Sequence, residues 1–384
     1  MKVLHLIKTS DGATWAYRQI KVLVELGVDI HIMVPSLKGQ LIEHLASLDV
    51  KLYEFNVDFT KDIVGLRSKI KKFNDLVTEI NPDIIHSHFV SSTYFMRISL
   101  RKKNIPRVFQ VPGPLHLENK PYDIIDILLA QDNDYWIGTC EWTRDRYLKL
   151  GIEQKKVFLS YYGTEIKSLS DNVKGNLRSE FNFAKETPIV GMVAYMYSPK
   201  RYLGQFRGLK GHEDFIKAIS IVKNDIPDIQ AVIIGGAWGK NKKYENKLKK
   251  MAKKYCGDSI LFLGHRKDVP KLYPDFNVAV HPSLSENIGG AAESLLSNVP
   301  TITTNIGGFP DVIKEGETGW LVEPRNPMVL AEKIILALSN PHIAKTKATE
   351  GRKLVMDLLD VRKNADEIYN IYIKILKDFE QVQQ

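Results

Sequence analysis

Cysteine is nearly missing from this chain: Cys140 and Cys256 are the two in 384 residues, far apart and outside any CxxC spacing. That excludes a disulfide-stapled scaffold and a zinc knuckle, and makes a reducing, cytoplasmic location the expectation. Long apolar runs are missing too. The run IIDILLA at 124–130 is too short to cross a bilayer, and the apolar part of MKVLHLIKT is too brief for a signal peptide and reads as a first strand. No low-complexity tract interrupts a composition of 44% hydrophobic and 26% charged residues, so disorder is excluded as the general state. The length exceeds one comfortable core and suits two.

The charge is not balanced: the formal net value is +9. Part of it lies in KNKKYENKLKKMAKKY, where Tyr244, Leu248, Met251 and Tyr255 recur at helical spacing and lysines fill the remaining faces. A solvated helix explains this better than a nucleic-acid surface, and no nucleic-acid motif accompanies it. A second group, Arg67, Lys69, Lys71 and Lys72 around Ile70 and Phe73, fits either an exposed helix or peripheral contact with anionic lipid at the inner face of the plasma membrane.

Short apolar runs alternate with amphipathic helical patterns: KVLHLI, YRQIKVLVELG, DIHIMV, PDIIHSH, then TPIVGMVAY, EDFIKAISIVKN, IQAVIIGG, SILFLG and NVAVHP. This is the pattern of βαβ units and parallel sheets. It pauses in the polar stretch from Ser168 to Glu186. The expectation is an α/β chain of two Rossmann-like doubly wound domains, 1–170 and 187–355, facing a central cleft. A C-terminal helix, 356–384, crosses back to the first domain. Ligands of such sheets collect at the carboxyl ends of the strands.

One such end carries SENIGGAAESLL, residues 285–296, with two acids around a glycine pair. Glycine costs about 1 kcal/mol inside a helix, so Gly289 and Gly290 are expected in a loop opening into a helix at Ala291. Bare amides and a positive helix end suit an anion, and Glu293 could accept both hydrogen bonds of a ribose diol. The stretch reads as a seat for a sugar nucleotide. The other reading has Glu293 merely capping the helix by reaching back to Gly290.

The run HPSLSENIGGAAESLLSNVPTITTNIGGFPDVIKEGETGWLVEP resembles the donor-binding signature of the retaining family 4 glycosyltransferases of GT-B fold. PDIIHSH, VPGPLHLE, YYGTEI and GLKGHEDF extend the resemblance over nearly the whole chain. It implies that Glu293 holds the ribose, Glu286 contacts donor-sugar hydroxyls, and the backbone at Ile288, Gly289 and Gly290 faces sugar and diphosphate. The usual motif has seven residues between its acids; NIGGAA supplies six. It further implies Lys210 on the diphosphate. The family's arginine after the preceding strand is Tyr195 here, so the longer loop YSPKRYLGQFRG offers Arg201 and Arg207, with Arg207 nearer the lysine. Arg266 is counted with the donor-binding residues.

His116, in VPGPLHLE, matches the family's histidine beside the reacting sugar; a structural histidine is the other reading. His86 and His88 alternate at a strand end and point one way. No third metal ligand is evident from spacing, and both are assigned with Gly12 and Ala13 to the acceptor side, with core histidines as the alternative. The catalytic set is therefore His116, Lys210, Arg207 and Glu286.

The resemblance implies transfer of a hexose or N-acetylhexosamine from a UDP-sugar to a hydroxyl of a glycan, lipid-linked or small-molecule acceptor. Configuration is retained, and neither cofactor nor metal is needed. The alternatives are a UDP-sugar 2-epimerase of the same fold, a retaining glycosidase using Glu286 and Glu293, and a nucleotide sensor without catalysis.

Overall fold

The computed structural model describes residues 1–58, 65–165, 175–201 and 204–383. The expected end of the first domain, residue 170, lies outside the described residues. The chain divides into two compact units, Met1–Ile166 with Leu358–Gln384, and Lys167–Asp357.

The first unit runs β1 (Lys2–Leu6), α1 (Thr14–Glu25), β2 (Asp29–Val34), α2 (Gln40–Leu45), β3 (Val50–Glu54), α3 (Leu66–Ile80), β4 (Ile84–Ser87), α4 (Val90–Ser99), β5 (Arg107–Gln110), α5 (Lys120–Leu128), β6 (Asp134–Gly138), α6 (Glu141–Lys149) and β7 (Val157–Leu159). Its strands form one parallel sheet in the order β3-β2-β1-β4-β5-β6-β7. Because helices cover both faces, strands such as DIHIMV are buried along nearly their whole length instead of on one face alone. The direction of winding reverses between β1 and β4, which is where such sheets open a crevice.

The second unit continues with α7 (Leu177–Glu180), β8 (Ile189–Val193), α8 (His212–Asp225), β9 (Gln230–Ile234), α9 (Lys243–Cys256), β10 (Ile260–Gly264), β11 (Val278–His281), α10 (Gly289–Leu296), β12 (Thr301–Thr304), α11 (Phe309–Val312), β13 (Trp320–Val322), α12 (Pro327–Ser339) and α13 (Pro341–Leu358). Its parallel sheet has the order β10-β9-β8-β11-β12-β13, with the reversal between β8 and β11. The tail of the polar stretch is not a bare linker: Leu177 is buried in this unit's core, with Phe181 and Phe183 packed on it.

The last helix, α14 (Val361–Gln383), begins five residues later than the boundary expected from periodicity. Asp360 starts α14, its carboxylate accepting from the amides of Arg362 and Lys363 at 2.8 and 3.2 Å. Ile368, Tyr372 and Ile375 then enter the core of the first unit beside Ile20 and Leu23 of α1.

Two details of the sequence reading change. The buried apolar residues of α9 are Tyr244, Leu248, Ala252 and Cys256, four residues apart, and Tyr255 is exposed. Both cysteines are buried, and neither forms a disulfide. No described helix is long and apolar enough to cross a membrane.

Candidate active site

In the second unit, Lys210 and Glu286 meet at the β8/β11 reversal. Gly211, at φ +71°, lies so close to Pro282 that a Cβ there would fall 1.8 Å from the Pro282 carbonyl oxygen. Only glycine allows this approach and this backbone conformation together. Leu284 N donates to Leu209 O at 2.7 Å, which ties the loop before α8 to the loop after β11. Their side chains are thereby aligned, and Lys210 Nζ forms an ion pair with Glu286 Oε2, each side chain 19% exposed. The other Glu286 oxygen accepts from Asn287 N at 3.1 Å. Lys210 also lies 5.9 Å from the ring centre of Tyr197. Burial, and next the Glu286 charge, push the Tyr197 phenol up.

The glycine pair sits differently from expectation. α10 begins at Gly289, so both glycines form its first turn and Glu293 comes one turn later, outside the capping position. First-turn amides lack intrahelical partners in any case, which reduces the cost of glycine there. Gly290 is needed for packing: a Cβ would come within 2.8 Å of His281 Nδ1. His281, at the end of β11, bonds Ser294 Oγ at 3.1 Å. Burial, with the Lys210 charge, lowers its pKa to about 3. Gly289 is exposed, with open space where a side chain would stand, and no side chain caps the helix. Glu293 is exposed and acts electrostatically on Tyr273, whose phenol is raised by burial first and by Glu293 second.

The arginines have other attachments. Arg207 is ion-paired with the buried Asp214 of α8. Arg266 grips both Glu180 oxygens, at 2.6 and 2.8 Å, and Asp268 at 2.8 and 2.7 Å. With its N–H fork committed to two carboxylates, Arg266 fastens α7 to the loop after β10, and its expected place on the donor is not supported by this geometry. Arg201 is exposed, beside residues outside those described.

In the first unit, β1 and β4 place His5 directly opposite His86. A third histidine, which the spacing of His86 and His88 did not reveal, therefore joins the pair, and one ring nitrogen of each lies within 4.8 Å of the others. All three are wholly buried, so neither His86 nor His88 is presented to solvent. His5 Nδ1 and His88 Nε2 share a hydrogen bond of 2.8 Å; His86 Nδ1 meets Tyr372 OH of α14 at 2.5 Å and His88 Nδ1 meets Tyr162 OH at 2.9 Å. Burial lowers all three pKa values, that of His5 to about 3. Neutral histidines bonded to each other and to phenols correspond to the core reading. Nearby, Gly12 and Ala13 both take positive φ, 71° and 50°, and lead into α1 without a side-chain cap.

His116 ends a single 3-10 turn, Pro114–His116, and is buried. Its Nε2 bonds Tyr147 OH at 3.1 Å, and Tyr147 OH donates to Asp126 Oδ2 at 2.8 Å. Asp126 is ion-paired with Arg97, and Arg97 Nε lies 3.4 Å from Asp134, which also holds Arg107 at 2.8 Å. Burial alone would raise Asp126; Arg97, with the His116 and Tyr147 hydrogen bonds, outweighs it and holds the carboxyl below its usual range. Sequence reasoning found His116 but none of the buried network around it, whose other members, Arg97, Arg107, Asp126, Asp134 and Tyr147, come from five separate elements.

Residues 12–167 match the family described as Glycosyltransferase Family 4, and residues 201–354 match Glycosyl transferases group 1. The chain belongs to these glycosyltransferases. It is 22% identical over 375 residues to N-acetyl-alpha-D-glucosaminyl L-malate synthase of Bacillus anthracis, covering 93% of this chain and 92% of that protein. It is 24% identical over 335 residues to UDP-Gal:alpha-D-GlcNAc-diphosphoundecaprenol alpha-1,3-galactosyltransferase of Escherichia coli, covering 84% and 82%. Among solved structures, HepE of Anabaena in complex with UDP superposes with a TM-score of 0.79 at 18% identity, over 96% of this chain and 99% of that one. A glycosyltransferase from Rickettsia africae gives a TM-score of 0.79 at 19% identity, over 98% of each. The architecture is that of GT-B enzymes, and none of these relatives is an epimerase.

Proposed function

We propose that this glycosyltransferase moves a hexose or N-acetylhexosamine from a UDP-sugar to a hydroxyl of a glycan, lipid-linked or small-molecule acceptor, with retention at the anomeric carbon. The observation that carries the reading is the Lys210–Glu286 pair, a cation and an acid held together at the reversal point of a nucleotide-binding type of sheet, with the open amides of Gly289 and Gly290 close by in sequence. HepE binds UDP-glucose, and the Escherichia coli relative is named for a UDP-sugar donor, which supports the choice of UDP.

The incoming diphosphate competes with Glu286 for Lys210. Once the ammonium turns to the phosphates, Glu286 is released to accept hydrogen bonds from sugar hydroxyls, so binding the two halves of the donor is coupled. As the bond from anomeric carbon to diphosphate oxygen breaks, Lys210 and the first amides of α10 stabilise the negative charge that develops, in most enzymes the largest catalytic contribution. The acceptor oxygen bonds the same carbon from the same face. Its proton passes to the departing phosphate oxygen, so no enzymic nucleophile is required. Glu293 is proposed on the ribose, Arg207 as a further cation if Asp214 yields it, and His116 beside the transferred sugar, its ring fixed by Tyr147. Gly12 and Ala13 are proposed to face the acceptor. Fixed cations take the part that a metal ion would otherwise play, so the reaction is proposed to need none.

The test is a panel of nucleotide sugars screened for protection against thermal unfolding, followed by NMR of the product formed with the best donor. Protection by a UDP-sugar and a product of unchanged anomeric configuration is the expected result; an inverted product contradicts the mechanism.

A further inference from the structure

Helix α5 is inside out. Its acids point inward: Asp126 is buried on Arg97, and Asp123, also buried, accepts from Arg146 at 2.8 Å. Its apolar residues point outward, with Tyr122, Ile124, Ile125 and Leu128 all exposed, Leu128 at 77%. On a helix these four cover one broad side and the two acids the other, because 100° separates successive residues. Ile98 of α4, next in sequence to the Arg97 that grips α5, is exposed as well. A solvated helix has the opposite arrangement, and contiguous apolar surface of this kind marks an interaction site.

The rim indicates the occupant. Gln131, just after α5, bonds the Arg101 carbonyl at 3.2 Å, and Asn133 bonds that of Lys103 at 3.3 Å, so the run Arg101-Lys102-Lys103 borders the Leu128 end. Arg101 and Lys102 are exposed, and Lys120 is exposed at the helix start. The acid in this border, Asp132, faces Lys156 at 3.8 Å. Aliphatic side chains rimmed by cations, with the helix's own carboxylates turned inward, complement an anionic lipid interface better than a second apolar protein face.

We infer that the outward face of α5 docks the enzyme on an anionic bilayer. Ile124, Ile125 and Leu128 enter the headgroup layer while Arg101, Lys102 and Lys120 meet lipid phosphates. The inference goes beyond the transfer reading and does not depend on which sugar is moved.

The test is flotation of the full chain with vesicles of phosphatidylcholine alone and of phosphatidylcholine mixed with phosphatidylglycerol. The wild type should float with the mixed vesicles, roughly tenfold less with the neutral ones, and lose binding at high salt. Ile124→Glu with Leu128→Glu should abolish flotation while the melting temperature and UDP affinity stay unchanged; Arg101→Ala with Lys102→Ala should weaken it without altering the apolar face. Absence of wild-type binding to mixed vesicles overturns the inference, as does undiminished binding by the glutamate variant. So does a concentration-dependent dimer dissolved by the same two glutamates, which would make a second copy the occupant. UDP binding, measured alongside, reports separately on the transfer site.

Discussion

Gly211 and Pro282 approach so closely that the space for one methyl group between them is already filled by a carbonyl oxygen. This contact aligns Lys210 with Glu286. Gly211→Ala should therefore misplace the lysine, lowering turnover and destabilising the second unit by about 1–3 kcal/mol. Urea melts beside initial rates check it, and a normal rate in a normally stable variant would show that the alignment has another cause.

Lys210→Ala should reduce kcat by roughly a hundredfold, the loss typical of removing one fixed donor from a developing anion. Glu286→Gln separates the two tasks of the pair. It leaves Lys210 without a competing carboxylate, so UDP should bind at least as well as before while transfer falls.

Glu293→Ala should weaken UDP binding by about 1–3 kcal/mol if the ribose hydroxyls use that carboxylate. Titration calorimetry measures this directly. UDP affinity equal to wild type would remove Glu293 from the donor site and leave Tyr273 as its concern.

Acid should destabilise the protein early. His5, His212 and His281 have pKa values lowered to about 3, chiefly by burial, against 6.5 when unfolded. Between those values the unfolded chain holds the additional protons, so stability is complete above about pH 6.5 and declines as pH falls, by about 1.4 kcal/mol per pH unit for each histidine. Urea midpoints at pH 7, 6 and 5 should drop progressively; a flat series would mean that these imidazoles charge in place.

Arg97→Met should cost about 3–5 kcal/mol, because it leaves Asp126 buried without its cation. A variant that also carries Asp126→Asn should recover much of that loss. Thermal melts of the single and double variants make the comparison.

The alternation of strand and helix was legible because buried parallel strands and amphipathic helices write different periods into the chain. Lys210, Glu286 and Glu293 were legible one by one, the lysine through GLKGHEDF and the acids through the motif around Gly289. Their relations were not. The pairing of Lys210 with Glu286 depends on Gly211 reaching Pro282, a contact across 71 positions that leaves no local signal. His5 escaped notice for the same reason, since only the register of β1 on β4 sets it opposite His86. The polarity of α5 was readable as two faces, yet the face that turns inward is chosen by Arg97, from another helix. The start of α10 was misjudged because helix propensity penalises glycine in the interior and says little about the first turn, where Gly290 is fixed by His281.

Tyr372, Ile368 and Ile375 belong to the core that encloses β1 and β4, although the whole second unit is translated before them. During synthesis, then, the first unit stays incomplete on the ribosome until α14 has emerged, whereas the continuous second unit can finish beforehand. Loss of α14 would leave the earlier-made unit as chaperone client, with its histidine cluster open to water.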